Sequence, residues 1–113
     1  MDASAGVIVA GWMDFEPGDR EEALRHFSDS VVVTRRELGC LDYVFSPDPD
    51  VPGRMRIFEH WDSDASLTEH LTLPHVAQLS KALAQLTRTG RSLTHSTIAF
   101  SRPMGSASVS AAR

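Results

Sequence analysis

Seven residues, Pro47-Asp48-Pro49-Asp50-Val51-Pro52-Gly53, constrain this chain more than any other stretch. Three prolines remove backbone donors and hold φ near −65°, so the segment can be neither a helix nor an interior strand. Before it, Cys40 to Ser46 alternates, with Leu41, Tyr43 and Phe45 on one side and Asp42 on the other. After it, Arg54 to Trp61 has the composition of a second strand. Two strands around a polar, proline-rich loop predict an antiparallel hairpin at the centre of the chain.

The flanking segments complete the pattern. Residues 7–15, V-I-V-A-G-W-M-D-F, read as a strand. Glu16-Pro17-Gly18-Asp19 supplies a turn, with Asp19 as N-cap and Glu21 and Glu22 in the first helical turn. Leu24, Phe27, Val31 and Thr34 or Arg35 then recur at helical spacing, which predicts a helix to about Leu38 stopped by Gly39. Ser63 is placed to cap a short helix ending near Leu71, with a break before Pro74. Val76, Leu79, Leu83 and Leu86 form the stripe of a second helical piece. Gly90 is expected to end that piece, and Ser92 to Ser101 to make the last strand.

The order is β-α-β-β-α-β with the second helix split. It predicts an α+β, ferredoxin-like split βαβ: a four-stranded antiparallel sheet with helices on one face. The domain is expected over residues 7–102, after an N-terminal extension (1–6) and before a small, polar, disordered tail (103–113). The other sheet face carries Ile8, Ala10 and Trp12, or their alternates, too apolar to leave in water. A homodimer through sheet faces is the expected remedy.

Charge and composition exclude several functions. Fifteen acidic against eleven basic residues, net −4, argue against a nucleic-acid or anionic-membrane partner. No apolar run approaches the roughly 20 residues that span a bilayer. The start, M-D-A-S-A-G, lacks the basic and apolar regions of a secretory signal, and a single cysteine, Cys40, fits a reducing compartment. A cytoplasmic protein is expected.

Chemistry concentrates between Phe58 and His75, F-E-H-W-D-S-D-A-S-L-T-E-H-L-T-L-P-H. Glu59 and Trp61 share a strand face with Ile57, and the helix carrying His70 is expected to fold over it. A half-buried carboxylate needs partners or takes up a proton, and His70 is the expected partner of Glu59. That pair suits proton transfer, or else simply ties helix to sheet. Trp61, Tyr43 and Phe45 offer flat walls for an aromatic guest, or plain core. His75, just after Pro74, would line the same site or pack a helix start. His60 points the opposite way. No metal site is expected, because His70 and His75 are five apart and no cysteine pair exists. Cys40 follows a helix end, which does not activate a thiol, and no glycine-rich phosphate loop is present.

Taken in order, Pro17-Gly18, Arg36-Glu37-Leu38-Gly39-Cys40 with Tyr43, Glu59-His60-Trp61-Asp62-Ser63, His70 and Pro74-His75 carry a resemblance. Over residues 7 to about 100 the chain resembles the antibiotic biosynthesis monooxygenase superfamily, small dimeric ferredoxin-like proteins (the dimeric α/β-barrel type). From Glu59 to Lys81 it is most similar to bacterial quinol monooxygenases, and also to an isomerase of phosphorylated autoinducer-2. Haem-degrading members differ: with their strand Trp on Trp61, their catalytic Trp–His positions fall on His70 and Ser80. Anthrone-oxidising members share Trp61, but their other polar pocket positions fall on Ile57 and Leu67.

The resemblance implies oxygenation of a small aromatic or quinol-type substrate by O2 with no cofactor. His70 and Glu59 would be catalytic, and Trp61, His75, Tyr43 and Phe45 would bind substrate. Two readings stay open beside it: an isomerase moving protons on a small hydroxyketone, and a non-enzymatic binder of a hydrophobic metabolite.

Overall fold

The patterned segments pair as their alternation requires in the structure, a computed structural model that describes residues 6–105. β1 (Val7–Phe15), β2 (Cys40–Pro47), β3 (Arg54–Trp61) and β4 (Arg88–Thr97) form one antiparallel sheet, ordered β2-β3-β1-β4. α1 (Pro17–Thr34) joins β1 to β2, and α2 (Asp64–Leu71) with α3 (Pro74–Leu83) joins β3 to β4. This is the predicted ferredoxin-like α+β arrangement. Residues 1–5 of the expected extension and 106–113 of the expected tail lie outside the described residues.

Register places the chemistry. Val7 pairs with Trp61, Val9 with Glu59, Gly11 with Ile57 and Met13 with Met55, so Glu59 and Trp61 share the buried side of the sheet. That side packs into two apolar clusters. One contains Met13, Phe15, Phe27, Met55 and Ile57, and the other Val7, Tyr43, Trp61 and Leu67. Ile8, Ala10 and Trp12 occupy the opposite side, where the Arg54 guanidinium lies 3.8 Å over the Trp12 ring.

Four sequence expectations change. Asp19 does not cap α1: Pro17 opens the helix after Glu16, and Asp19 Oδ2 accepts from the Thr87 amide at 2.8 Å. Glu16 N also donates to Thr87 O, so both backbone groups of Thr87 are held at the start of α1. With Thr87 held there, β4 begins at Arg88, with Gly90 inside the strand rather than ending a helix, and it closes at Thr97. α1 itself ends at Thr34, and residues 35–39 unwind through turns to Gly39 at φ 92°. A Cβ at Gly39 would lie 2.2 Å from Ser66 Oγ, so glycine is needed there for space as well as conformation. Finally, Leu41 does not share a face with Tyr43. The register slips between Cys40 and Asp42, which puts Cys40 opposite Trp61 and leaves Leu41 bulged out and exposed.

Elsewhere local signals hold. Ser63 Oγ caps α2 by accepting from Ser66 N, and Pro74 keeps Leu73 extended (ψ 147°), which separates α2 from α3. In the hairpin loop, Asp48 Oδ1 accepts from the amides of Asp50 and Val51, and Arg56 Nε donates to Oδ2 at 2.8 Å. The Asp50 amide, then Arg56, then the Val51 amide hold the Asp48 carboxyl down to about 2. A depressed carboxyl stabilises the fold above the unfolded-state pKa of about 4 and loses that contribution as pH falls toward 2. Urea midpoints measured from pH 5 to pH 2 should therefore fall less steeply in Asp48→Asn than in the parent chain. Parallel curves would mean that the loop carries no such linkage.

Candidate active site

Between the sheet, α1 and α3 lies a cavity of about 630 Å³, within the usual range for small-molecule sites. Its apolar wall includes Phe27, Phe45 and Ile57, and Val76, Leu79 and Leu83 overhang it from α3. The predicted α3 stripe is real, but no α3 residue is fully buried, because the stripe faces this space rather than solid packing. Among the described residues no helix is long and apolar enough to cross a membrane.

Tyr43, Phe45, Glu59 and His70 all line the cavity. His70, on the last turn of α2, is 3% exposed. Its partner is not the one expected. His70 Nδ1 lies 3.0 Å from both Glu37 oxygens, and Glu59 Oε1 instead accepts the Trp61 indole N–H at 3.0 Å. Glu37 comes from the turn after α1, and its Oε2 also lies 2.8 Å from His75 Nε2. Thr34 Oγ1 sits 3.1 Å from the same His75 nitrogen. One carboxylate thus joins two imidazoles from α2 and α3. With Nδ1 committed to Glu37, Nε2 is the His70 nitrogen left for a guest.

Trp61 is completely buried. It acts from behind the site, with its ring 4.7 Å from the His70 ring and its N–H on Glu59. Tyr43 meets His70 edge-on at 5.5 Å and Phe45 at 4.8 Å, and Phe45 stacks on Phe27 at 4.1 Å. His75 does not line the main cavity. It borders a smaller hollow of about 300 Å³ and reaches the site through Glu37 and through an edge-on contact with the His70 ring at 5.9 Å.

Burial pushes the Glu59 carboxyl up, against the Trp61 hydrogen bond and the His70 charge that pull it down. A carboxyl so placed keeps its proton to higher pH than an exposed one. Burial, and then the Glu59 charge, also drives the Tyr43 phenol far up, although Ser30 and Thr34 hydrogen-bond it. Burial raises the Cys40 thiol as well, with Glu37 and Glu59 adding to the effect, which disfavours the thiolate a nucleophile requires.

Sequence reasoning missed Glu37, Ser30 and Thr34. A signal existed for two of them: positions 30 and 34 continue the helical face of buried Ala23 and Phe27, whereas Glu37 lies past the helix end in the turn. Glu37, His70 and His75 also place one donor atom each within 4.8 Å of one another. A carboxylate with two imidazoles is a donor set suited to zinc or iron. Spacing argued against a metal because the histidines are five apart, no cysteine pair exists and the carboxylates are scattered in sequence, Glu37 lying 33 residues before His70. Here the carboxylate bridges both rings by hydrogen bonds, an arrangement that fixes tautomers and can pass a proton.

Known proteins share this architecture. A Deinococcus radiodurans protein provisionally named an antibiotic biosynthesis monooxygenase superposes with a TM-score of 0.79 at 30% identity, covering 88% of this chain and 99% of that one. A similarly named Chloroflexus aurantiacus protein gives 0.69 at 25% identity, covering 88% and 98%. A Pseudomonas aeruginosa protein, PA3566, gives 0.77 at 22% identity over 87% and 98%, a likeness of fold alone. In sequence, an uncharacterized Synechocystis protein is 29% identical over 69 residues, 61% of this chain, and the chain spans about half of that relative's length (47%). The sequence profile of the antibiotic biosynthesis monooxygenases matches residues 6–82, which include Glu37, Glu59, Trp61, His70 and His75. By that match, the chain belongs to the antibiotic biosynthesis monooxygenase family.

Proposed function

We propose that this protein is a cofactor-independent monooxygenase that oxidises a small aromatic or quinol-type substrate with O2. The observation that carries the reading is an imidazole at the cavity wall whose far nitrogen is gripped by a carboxylate. Glu37 accepts the Nδ1 proton, which leaves a lone pair on Nε2 to remove a phenolic or quinol proton. His70 and Glu59 are the catalytic pair. His70 is the base, and Glu59, whose carboxyl burial pushes up, is its partner in proton transfer inside the same apolar space. Tyr43 and Phe45 bind the ring, and Glu37, Trp61 and His75 hold the others in position.

The substrate itself supplies the electrons. Its anion passes one electron to O2, and the resulting radical and superoxide combine at a ring carbon. Protonation of that peroxide, followed by loss of water, leaves a carbonyl at the same carbon. Overall a quinol and O2 give a hydroxyquinone and water, with one oxygen atom in each product. An apolar cavity shields the anion and radical from bulk water.

Oxygen uptake by metal-stripped protein across a hydroquinone panel tests this reading. With ¹⁸O2, one labelled atom should enter the product and one the water. No uptake with any member, or hydrogen peroxide formed in step with oxygen consumed, overturns it. A buried carboxyl, Glu59, near the His70 imidazole also suits enolisation of a hydroxyketone. In that case solvent deuterium enters substrate while oxygen stays constant. On the opposite sheet face Ile8, Trp12 and Phe58 remain only partly covered, and we place a second copy there as a homodimer.

A further inference from the structure

The cavity carries a feature the proposed chemistry does not use: two arginines, Arg88 and Arg91, line it from the edge strand β4. Three residues apart, they should point to opposite sides of a regular strand. A slip in the β1–β4 register between Asp14 and Phe15 brings them together. Arg91 pairs with Met13, Gly90 with Asp14 and Arg88 with Phe15, so Thr89 is the extra residue of a bulge. Both arginines therefore stand on the helix-bearing side of the sheet, level with Met13 and Phe15, and are exposed at the open edge of the cavity. Gly90 falls between them on the far side, its position for a Cβ 3.7 Å from Trp12.

Most other arginines in this chain are engaged: Arg20 with Glu21, Arg25 with Glu22, Arg35 with the Tyr43 carbonyl, Arg54 with Asp14 and Arg56 with Asp48. Among the described residues no carboxylate pairs with Arg88 or Arg91, although the chain carries four more acidic than basic side chains. The one carboxyl lining the cavity, Glu59, sits at the level of Val9, four residues along β1 from Met13 and two strands removed from β4. Four residues of strand span ~13 Å. Cations at one end and the proton-transfer pair at the other define a polarised site with an apolar middle.

We infer that Arg88 and Arg91 bind a carboxylate at the end of the substrate remote from the carbon being oxidised. The substrate class is thus a fused aromatic of two or three rings with a terminal carboxylate. Planar guanidinium groups suit that anion because each can make two parallel hydrogen bonds to it. This rests on the monooxygenase reading for the identity of the reacting end, but not for the binding of the anion.

Calorimetry with a pair that cannot be oxidised in this way, 2-naphthoate and 2-naphthamide, separates the two questions. The carboxylate should bind at least about tenfold tighter than the amide at low salt, with the preference shrinking as salt rises. In the double variant Arg88→Gln/Arg91→Gln the preference should fall to within about twofold while amide affinity stays unchanged. Equal affinities in the parent chain, a preference that survives in the double variant, or no binding of either compound overturns the inference. Failure of the oxygen-uptake assay leaves this result untouched, and the reverse holds too.

Discussion

Replacing His70 with asparagine is expected to lower kcat/KM for oxygen uptake by about 10²–10⁴-fold, the usual worth of a positioned general base. Asparagine keeps a polar group on α2 but has no lone pair that accepts a proton at neutral pH. The fold should survive, because Glu37 retains His75 at 2.8 Å and is not left as a buried, unpaired charge. Binding of a non-reactive aromatic ligand should change little, since Phe27, Phe45 and the α3 leucines are untouched. Glu37→Gln should give a smaller loss, because it frees the tautomer without removing the base. Undiminished turnover in His70→Asn would reassign the base, with Glu59 next in line.

Trp61→Ala is expected to cost about 3–5 kcal/mol of stability, the range for deleting a large buried aromatic. Two effects add. The indole is fully buried within the Val7, Tyr43 and Leu67 cluster, so its removal opens a cavity. Its N–H is also the donor to Glu59, so the truncated chain leaves a half-buried carboxyl without that hydrogen bond. Trp61→Phe fills much of the volume and removes only the donor, and should cost about 1–3 kcal/mol. Urea denaturation of the three proteins measures both values. With a total stability of roughly 5–15 kcal/mol expected for such a domain, Trp61→Ala approaches the lower limit of folding. A cost below about 1 kcal/mol would contradict the packing described here.

Much of the site was legible before any coordinates. Alternation put Glu59 and Trp61 on one face, and the Ser63 cap and Pro74 break put His70 and His75 near the ends of two short helices. The mispairing of Glu59 with His70 has a specific origin. Both residues were correctly brought to one cavity, but the nearest partner in sequence was assumed to be the partner in space. Glu37 lies 33 residues from His70 and was expected at the end of a regular helix. The unwinding of residues 35–39, stopped at Gly39, carries its carboxylate to the two imidazoles instead.

Side-chain periodicity and capping act over a few residues, so the sequence by itself determined the order of strands and helices, the starts of α2 and α3, the hairpin and the sidedness of β1 and β3. Hydrogen-bond partners and strand register depend on a displacement of one residue or an ångström between segments distant in the chain. Tertiary structure alone therefore decided that one carboxylate serves two histidines and that a bulge brings two exposed arginines to the same edge of the cavity. The functional reading stands on a single contact, Glu37 fixing the tautomer of the ring that faces the hollow. An apo crystal structure in which Glu37 does not reach the His70 ring would leave the proposed base without the carboxylate that orients it.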